Sequence, residues 1–206
     1  MNTKFAFFDF DDTLIHGDSG GKLLKYYIKK HPLSCLRLMK VVYHYGLYLL
    51  KIEPLNKAKS AWLYPLDYMD ESEIEHFYQT CLEPCYYPNV IAELKKKKAD
   101  GYVVYICSAS VEAYLRFCRL PVDEIIGTKT KIVNGKYTSQ MIGQNCKDDE
   151  KVTRIHEIIK NHNLTIDYDS SYAYSDSLHD KPMLSMVKNR IKIDTKDGHM
   201  SIFDIE

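Results

Sequence analysis

The sequence predicts an α/β fold: a doubly wound parallel sheet with a helical segment inserted after its first strand. Strand-like runs alternate with helical patterns over residues 89–194, the arrangement of βαβ units. One of these runs, "GYVVYICS" at residues 101–108, is continuously apolar, β-branched and aromatic, as expected of a strand buried on both faces. Between residues 15 and 88 the alternation stops and helical stretches punctuated by Pro32, Pro54, Pro65 and Pro84 take over.

The first strand is predicted over residues 4–10, in an apolar and aromatic run that ends in acids. Residues 89–99 read as a helix leading into the 101–108 strand. A helix over 110–118 follows, with Ser110 as its N-cap. "VDEIIGT" at 122–128 is the next strand, and Asn134-Gly135 within "KIVNGKYT" signals a tight hairpin over 131–138. Val152, Ile155, Ile158 and Ile159 recur at helical spacing in 148–162. A strand over 171–176, a short helix over 181–187 whose Pro182 suits a first turn, and a strand over 189–194 complete the set. Residues 1–14 and 89–206 thus form the sheet domain, and 15–88 an inserted helical cap.

A chain of 206 residues can bury a core without disulfide or metal staples. Its 28 basic and 28 acidic residues cancel, which argues against a general nucleic-acid binder. No leader-length apolar segment develops before the acids at residues 9–12, so a cytoplasmic protein without a signal peptide is expected. The six cysteines form no CxxC pair and read as reduced, mostly buried thiols. Cys81 and Cys85 near His76 lack the second ligand pair that a structural zinc site needs.

The chemistry begins with "FAFFDFDDTLI", where Asp9, Asp11 and Asp12 fall within four residues. Carboxylates this close disfavour one another's ionisation, and a cation among them relieves the repulsion. Three other polar positions sit at strand ends or helix starts: Ser108, Lys151, and the pair Asp176 and Asp180 in "YSDSLHDKPML". The carboxyl ends of the strands in a doubly wound sheet share one edge, so these groups can converge.

Taken in order, "DFDDT", "CSAS", a lysine opening a helix and "SDSLHD" resemble the four motifs of the haloacid dehalogenase-like superfamily over nearly the whole chain. The helical insert resembles the cap of its phosphoserine phosphatase-like subfamily. The resemblance implies a Rossmann-like core and a magnesium-dependent phosphomonoester hydrolase acting through an aspartyl-phosphate. Asp9 would attack phosphorus; Asp11 would protonate the leaving oxygen and then activate water. Asp9, the backbone carbonyl of Asp11 and Asp176 would hold Mg2+, a hard cation that prefers oxygen. Ser108, the Ala109 N–H and Lys151 would bind the phosphoryl oxygens, with Thr13 and Asp180 in support. Asp12 reads as solvated and Lys147 as a surface charge, with Lys151 preferred because it precedes the apolar stripe. His179 reads as a surface imidazole, and His16 and Asp18 as weaker candidates for substrate contact.

Within the cap, Arg37, Lys40, His44 and Lys51 fall on one stripe of a helix projected over 35–52, beside Leu, Met, Val, Ile and Tyr. Charges interrupt it too often for a membrane span, which wants ~20 predominantly apolar residues. The favoured reading is a helix whose apolar face is buried and whose basic stripe faces water; peripheral membrane contact is the alternative. "LLKYYIKKHPLSCLRLM", residues 23–39, and the segment after it also resemble the cap of phosphatidylglycerophosphatase C-type proteins. Substrate expectations are therefore a small phosphorylated metabolite or a lipid phosphate, with a phosphate-ester binding protein of little turnover as the other class.

Overall fold

The computed structural model describes residues 2–205. The chain opens with β1 (Phe5–Phe8), then α1 (Ser19–Lys30), α2 (Leu38–Leu49), α3 (Leu55–Trp62) and α4 (Glu71–Phe77). α5 (Pro88–Ala99) leads to β2 (Val103–Val111), α6 (Glu112–Leu115) and β3 (Glu124–Thr128). The hairpin strands β4 (Thr130–Val133) and β5 (Lys136–Met141) precede α7 (Asp149–Asn161), β6 (Tyr172–Ser175) and α8 (Lys181–Leu184). β7 (Asn189–Ile193) and β8 (Met200–Ile202) end the series.

Six strands form the central sheet in the order β3-β2-β1-β6-β7-β8. All neighbours are parallel except the β7–β8 pair. β1 is "FAFF", with no polar side chain, because both of its faces are covered. Ala6 and Phe8 enter the core shared with α5 and the helices of residues 15–88. Phe5 and Phe7 enter the opposite core, with Ile155 and Ile159 of α7 and Met183 and Leu184 of α8. Phe8 stacks on Tyr174 at 4.1 Å between ring centroids, which ties β1 to β6. Burial of each such aromatic side chain contributes roughly 1.5–3 kcal/mol, so the strand that ends in the acids is also the best anchored.

The hairpin forms where Asn134-Gly135 predicts it, and both residues take positive φ (51° and 75°), as a turn matched to strand twist requires. Four details differ from the sequence expectations. Ser110 is not a helix cap: β2 continues to Val111, which itself precedes α6, and Ser110 is drawn into a polar network described below. Asp12 is half-buried, not solvated. It adopts φ 54°, which Asp tolerates, and its Oδ1 accepts the Gly17 N–H at 2.7 Å, closing the loop after β1. Cys107 and Cys146 are the buried thiols, while Cys35 is exposed and the other three lie between; all six are free.

The fourth difference concerns residues 35–52. Pro32–Arg37 is a 3₁₀ helix, α2 starts only at Leu38, and Lys51 lies beyond its end at φ 59°. Arg37 and Lys51 are therefore off the helix, and the basic stripe is broken. Burial is also the reverse of the favoured reading: Val41 is the one buried residue described in α2, and most of the segment's other large apolar side chains face outward.

Candidate active site

β1 and β6 lie side by side, and each delivers an acid just past its carboxyl end. Asp9 follows β1, where its N–H donates to the Tyr174 carbonyl at 3.0 Å, and Asp176 follows β6. Thr13 links the two loops: its Oγ1 accepts the Asp176 N–H at 3.1 Å and donates to Asp176 Oδ1 at 3.4 Å.

Lys151, in the first turn of α7, is 2 % exposed and bridges two carboxylates. Its Nζ donates to Asp9 Oδ1 at 2.7 Å and to Asp180 Oδ1 at 2.5 Å. Ser175 Oγ holds the other oxygen of Asp180 at 2.8 Å. Burial alone would lower the Lys151 pKa, but Asp9 and Asp180 more than offset it and keep the ammonium charged well above its ordinary range. For Asp9 the balance is opposite. Burial pushes its carboxyl up to about 8, Lys151 opposes this, and Asp180 adds to it.

Asp11 has a separate environment. Its Oδ1 accepts the N–H of Ser19, the first residue of α1, at 2.8 Å, and its Oδ2 accepts the Ser110 hydroxyl at 2.5 Å. Ser19 Oγ in turn lies 2.6 Å from Ser110 Oγ and 2.8 Å from Tyr114 Oη. Burial raises the Asp11 carboxyl to about 6, against the Ser110 hydrogen bond that favours its ionised form. Asp18 caps α1 through the Gly21 N–H at 2.5 Å, and its charge is a further cause that raises Asp11.

Ser108 lies where the register of β2 with β3 breaks between Cys107 and Val111. It is buried, and its Oγ accepts the Ser110 N–H at 3.0 Å, which leaves the hydroxyl proton to donate. The Ala109 carbonyl accepts from Thr128 Oγ1 at 2.7 Å and from Lys59 Nζ at 2.5 Å. Lys59, on α3, also donates to Asn145 Oδ1 at 2.5 Å. Burial lowers its pKa to about 8, against the pull of Asp11.

The structure thus brings Asp9, Lys151 and Asp180 into one contact network, joins Thr13 to Asp176 in another, and sets Asp11 in a third with Ser110. Sequence reasoning missed Lys59, Ser19 and Tyr114. His179 is exposed, 3.9 Å from Asp148.

The donor set suits a hard cation. Asp9 and Asp176 both have carboxyls raised by burial, and the acids Asp12 and Asp180 raise Asp176 further. One buried ammonium does not offset this much negative charge, and an added divalent ion would. Among the described residues no three His, Cys, Asp or Glu side chains converge as a ready cage. An ion here would rest on few protein oxygens and keep water, the habit of magnesium.

A family model for haloacid dehalogenase-like hydrolases matches residues 6–185. A histidinol-phosphatase of Neisseria meningitidis serogroup C (strain 8013) is 26% identical over 202 residues, covering 92% of this chain and 90% of the relative. A crystal structure of a protein of unknown function from Bordetella pertussis Tohama I superposes with TM-score 0.78 at 20% identity, over 94% of this chain and 91% of that one. A phosphoserine phosphatase solved as a phospho-aspartyl intermediate analogue gives TM-score 0.63 at 17% identity, over 94% and 87%. At these identities the structural matches establish a shared fold.

Proposed function

We propose that this chain, which belongs to the haloacid dehalogenase-like hydrolase family and is a phosphatase, hydrolyses phosphomonoesters by way of an aspartyl-phosphate on Asp9, with Mg2+ as cofactor. Residues 15–88 serve as the cap over the strand ends, and the rest of the chain as the catalytic core.

The observation that carries this reading is the contrast between two acids two residues apart. Asp9 is held by Lys151, which fixes its Oδ1 and offsets its charge. Asp11 is bonded instead by the Ser110 hydroxyl and the Ser19 N–H. One acid is arranged as a nucleophile and the other as a proton carrier.

In the first step Asp9 forms a bond to phosphorus while the ester P–O bond breaks, and the leaving oxygen takes the Asp11 proton. In the second, Asp11 accepts a proton from water as that water attacks phosphorus, and the bond to Asp9 breaks, releasing phosphate. Ser108, the Ala109 N–H and Lys151 hold the phosphoryl oxygens through both steps. Asp180 positions Lys151, and Thr13 orients the Asp176 loop. Asp9, Asp176 and the Asp11 carbonyl would hold Mg2+, which would supply positive charge to keep Asp9 ionised and offset the phosphate charge.

The relatives make histidinol phosphate and phosphoserine the first substrates to test. A lipid phosphate is a second reading, favoured by one observation: a groove of about 550 Å³ lined by Val42, Tyr45, Leu49 and Trp62 also takes in Asp18, whose charge bears on Asp11. Asp9→Asn should abolish phosphate release from an aryl phosphate with an unchanged thermal transition, and chelation of Mg2+ should do the same reversibly. Turnover retained by Asp9→Asn would refute the mechanism.

A further inference from the structure

The segment between the active-site loop and α3 breaks two habits of a globular surface at once. Among the described residues, nine of the seventeen exposed large apolar side chains fall between Leu33 and Ile52. Scattered exposed apolar residues are ordinary, but a concentration of this kind marks a docking face. On α2, Met39, Val42, Tyr43, Tyr45 and Leu49 occupy the outward arc while Val41 turns to the core. The flanking turns add Leu36 and Leu50 to the same exposed set.

Charge is concentrated on the same segment. From Ser19 to Ile52 the sequence carries seven lysines and arginines and no aspartate or glutamate, in a chain whose formal charge is zero. Lys40 and Lys51 are exposed beside the apolar arc, and on one edge of α2 a cleft of about 410 Å³ gathers Arg37, Lys40, His44 and Lys57 with a single acid, Asp67. The first acid past the segment, Glu53, is engaged by His44 at 2.7 Å and Lys57 at 3.3 Å.

We propose that residues 33–52 dock this protein on an anionic lipid surface, with the outward arc of α2 in the headgroup–acyl boundary and the surrounding cations on lipid phosphates. An apolar arc rimmed by Lys and Arg is the composition of an interfacial helix. A second copy of the chain fits less well. A two-fold contact would set this face against itself, cation to cation, with no acid of the segment to pair them. No described helix is long and apolar enough to cross a membrane, so the contact is a surface one. It extends the catalytic reading without depending on it.

Vesicle co-sedimentation of the full chain tests the proposal. The vesicles are phosphatidylcholine alone, or phosphatidylcholine with about a third phosphatidylglycerol. Binding is expected to the anionic vesicles and to weaken with salt. Each cation near such a surface changes partitioning about fivefold, so Lys40→Glu/Lys51→Glu should lower binding roughly 25-fold or more. Met39→Glu/Leu50→Glu, at positions 76% and 69% exposed, should also abolish binding. Both variants should keep aryl-phosphate turnover, which shows that they fold. Equal binding to both vesicle types, or none to the anionic ones, would overturn the proposal. So would a concentration-dependent dimer in sedimentation velocity that Met39→Glu/Leu50→Glu dissociates, since the face would then belong to a second copy. Loss of turnover in Asp9→Asn with vesicle binding intact keeps this test separate from that of the catalytic reading.

Discussion

Ser110→Ala is the sharpest test of how Asp11 is tuned. The Ser110 hydroxyl donates to Asp11 Oδ2 at 2.5 Å in a buried setting and is the largest influence holding that carboxyl down against burial. A hydrogen bond to a charged group contributes roughly 1.5–3 kcal/mol. One pKa unit corresponds to ~1.4 kcal/mol, so losing the bond should raise the Asp11 pKa by about one to two units from its value of about 6. The sign follows from which form is bonded: the hydroxyl stabilises the carboxylate, so its removal favours the acid. On the proposed mechanism phosphoryl transfer to Asp9 requires Asp11 protonated, and kcat/KM reports the free enzyme. The alkaline limb of the kcat/KM profile should therefore move to higher pH by that amount, while proton return from water in the second step slows and kcat falls at low pH. The assay is phosphate release from an aryl phosphate across pH, with Ser110→Thr as the variant that keeps the hydroxyl. An unmoved limb, or one displaced to lower pH, would refute the assignment of Asp11 as the acid.

Two further perturbations probe the buried charges. Lys151→Ala leaves Asp9 and Asp180 facing each other without their cation, and breaking a buried pair in this way costs about 3–5 kcal/mol. Burial already holds the parent's Asp9 at about 8, and losing the ammonium raises it further, so the deficit against the parent should grow as pH rises above about 8 in chelator, by up to ~1.4 kcal/mol per unit. Denaturant titrations that show a pH-independent deficit would contradict this. Lys59→Met should lower turnover, because an ammonium beside Asp11 and the Ala109 carbonyl is lost. The folded pKa of Lys59 lies near 8, below its ordinary 10.5, so its burial weighs against the fold below that value and is relieved above it. The parent should accordingly gain stability relative to Lys59→Met between about pH 8 and about pH 10 in thermal melts, and parallel curves would contradict the burial of the charge.

Most of the fold was legible because its signals are local. The apolar run of β1, the Gly101-opened strand and the Asn134-Gly135 turn each state their conformation within a few residues. Ser110 was misread for a definite reason: a serine before a helical pattern is a good N-cap, and nothing nearby in sequence reveals that Asp11, 99 residues away, claims its hydroxyl. Lys59 carried no signal at all, since one lysine in "KAKSAW" looks like another until the turn of α3 selects which ammonium reaches Ala109. The α2 segment failed in the opposite way. Its periodicity is that of a helix with one apolar face, but periodicity does not say whether a protein covers that face.

Two of the residues missed share a property that the motifs lack. Asp9, Asp11, Asp176 and Lys151 sit at strand ends and a helix start, where topology alone brings them to one edge. Lys59, Ser19 and the α2 face come from the helices between β1 and α5, whose placement depends on packing over the sheet. On the proposed mechanism the strand edge carries the phosphoryl chemistry, and the helical segment would decide what reaches it. Lys59 is the point of contact between the two: it ties α3 to the Ala109 carbonyl while its charge bears on Asp11. A change in how α3 sits, whether from a substrate or from a surface under α2, would therefore alter the field at the proton donor as well as access to Asp9.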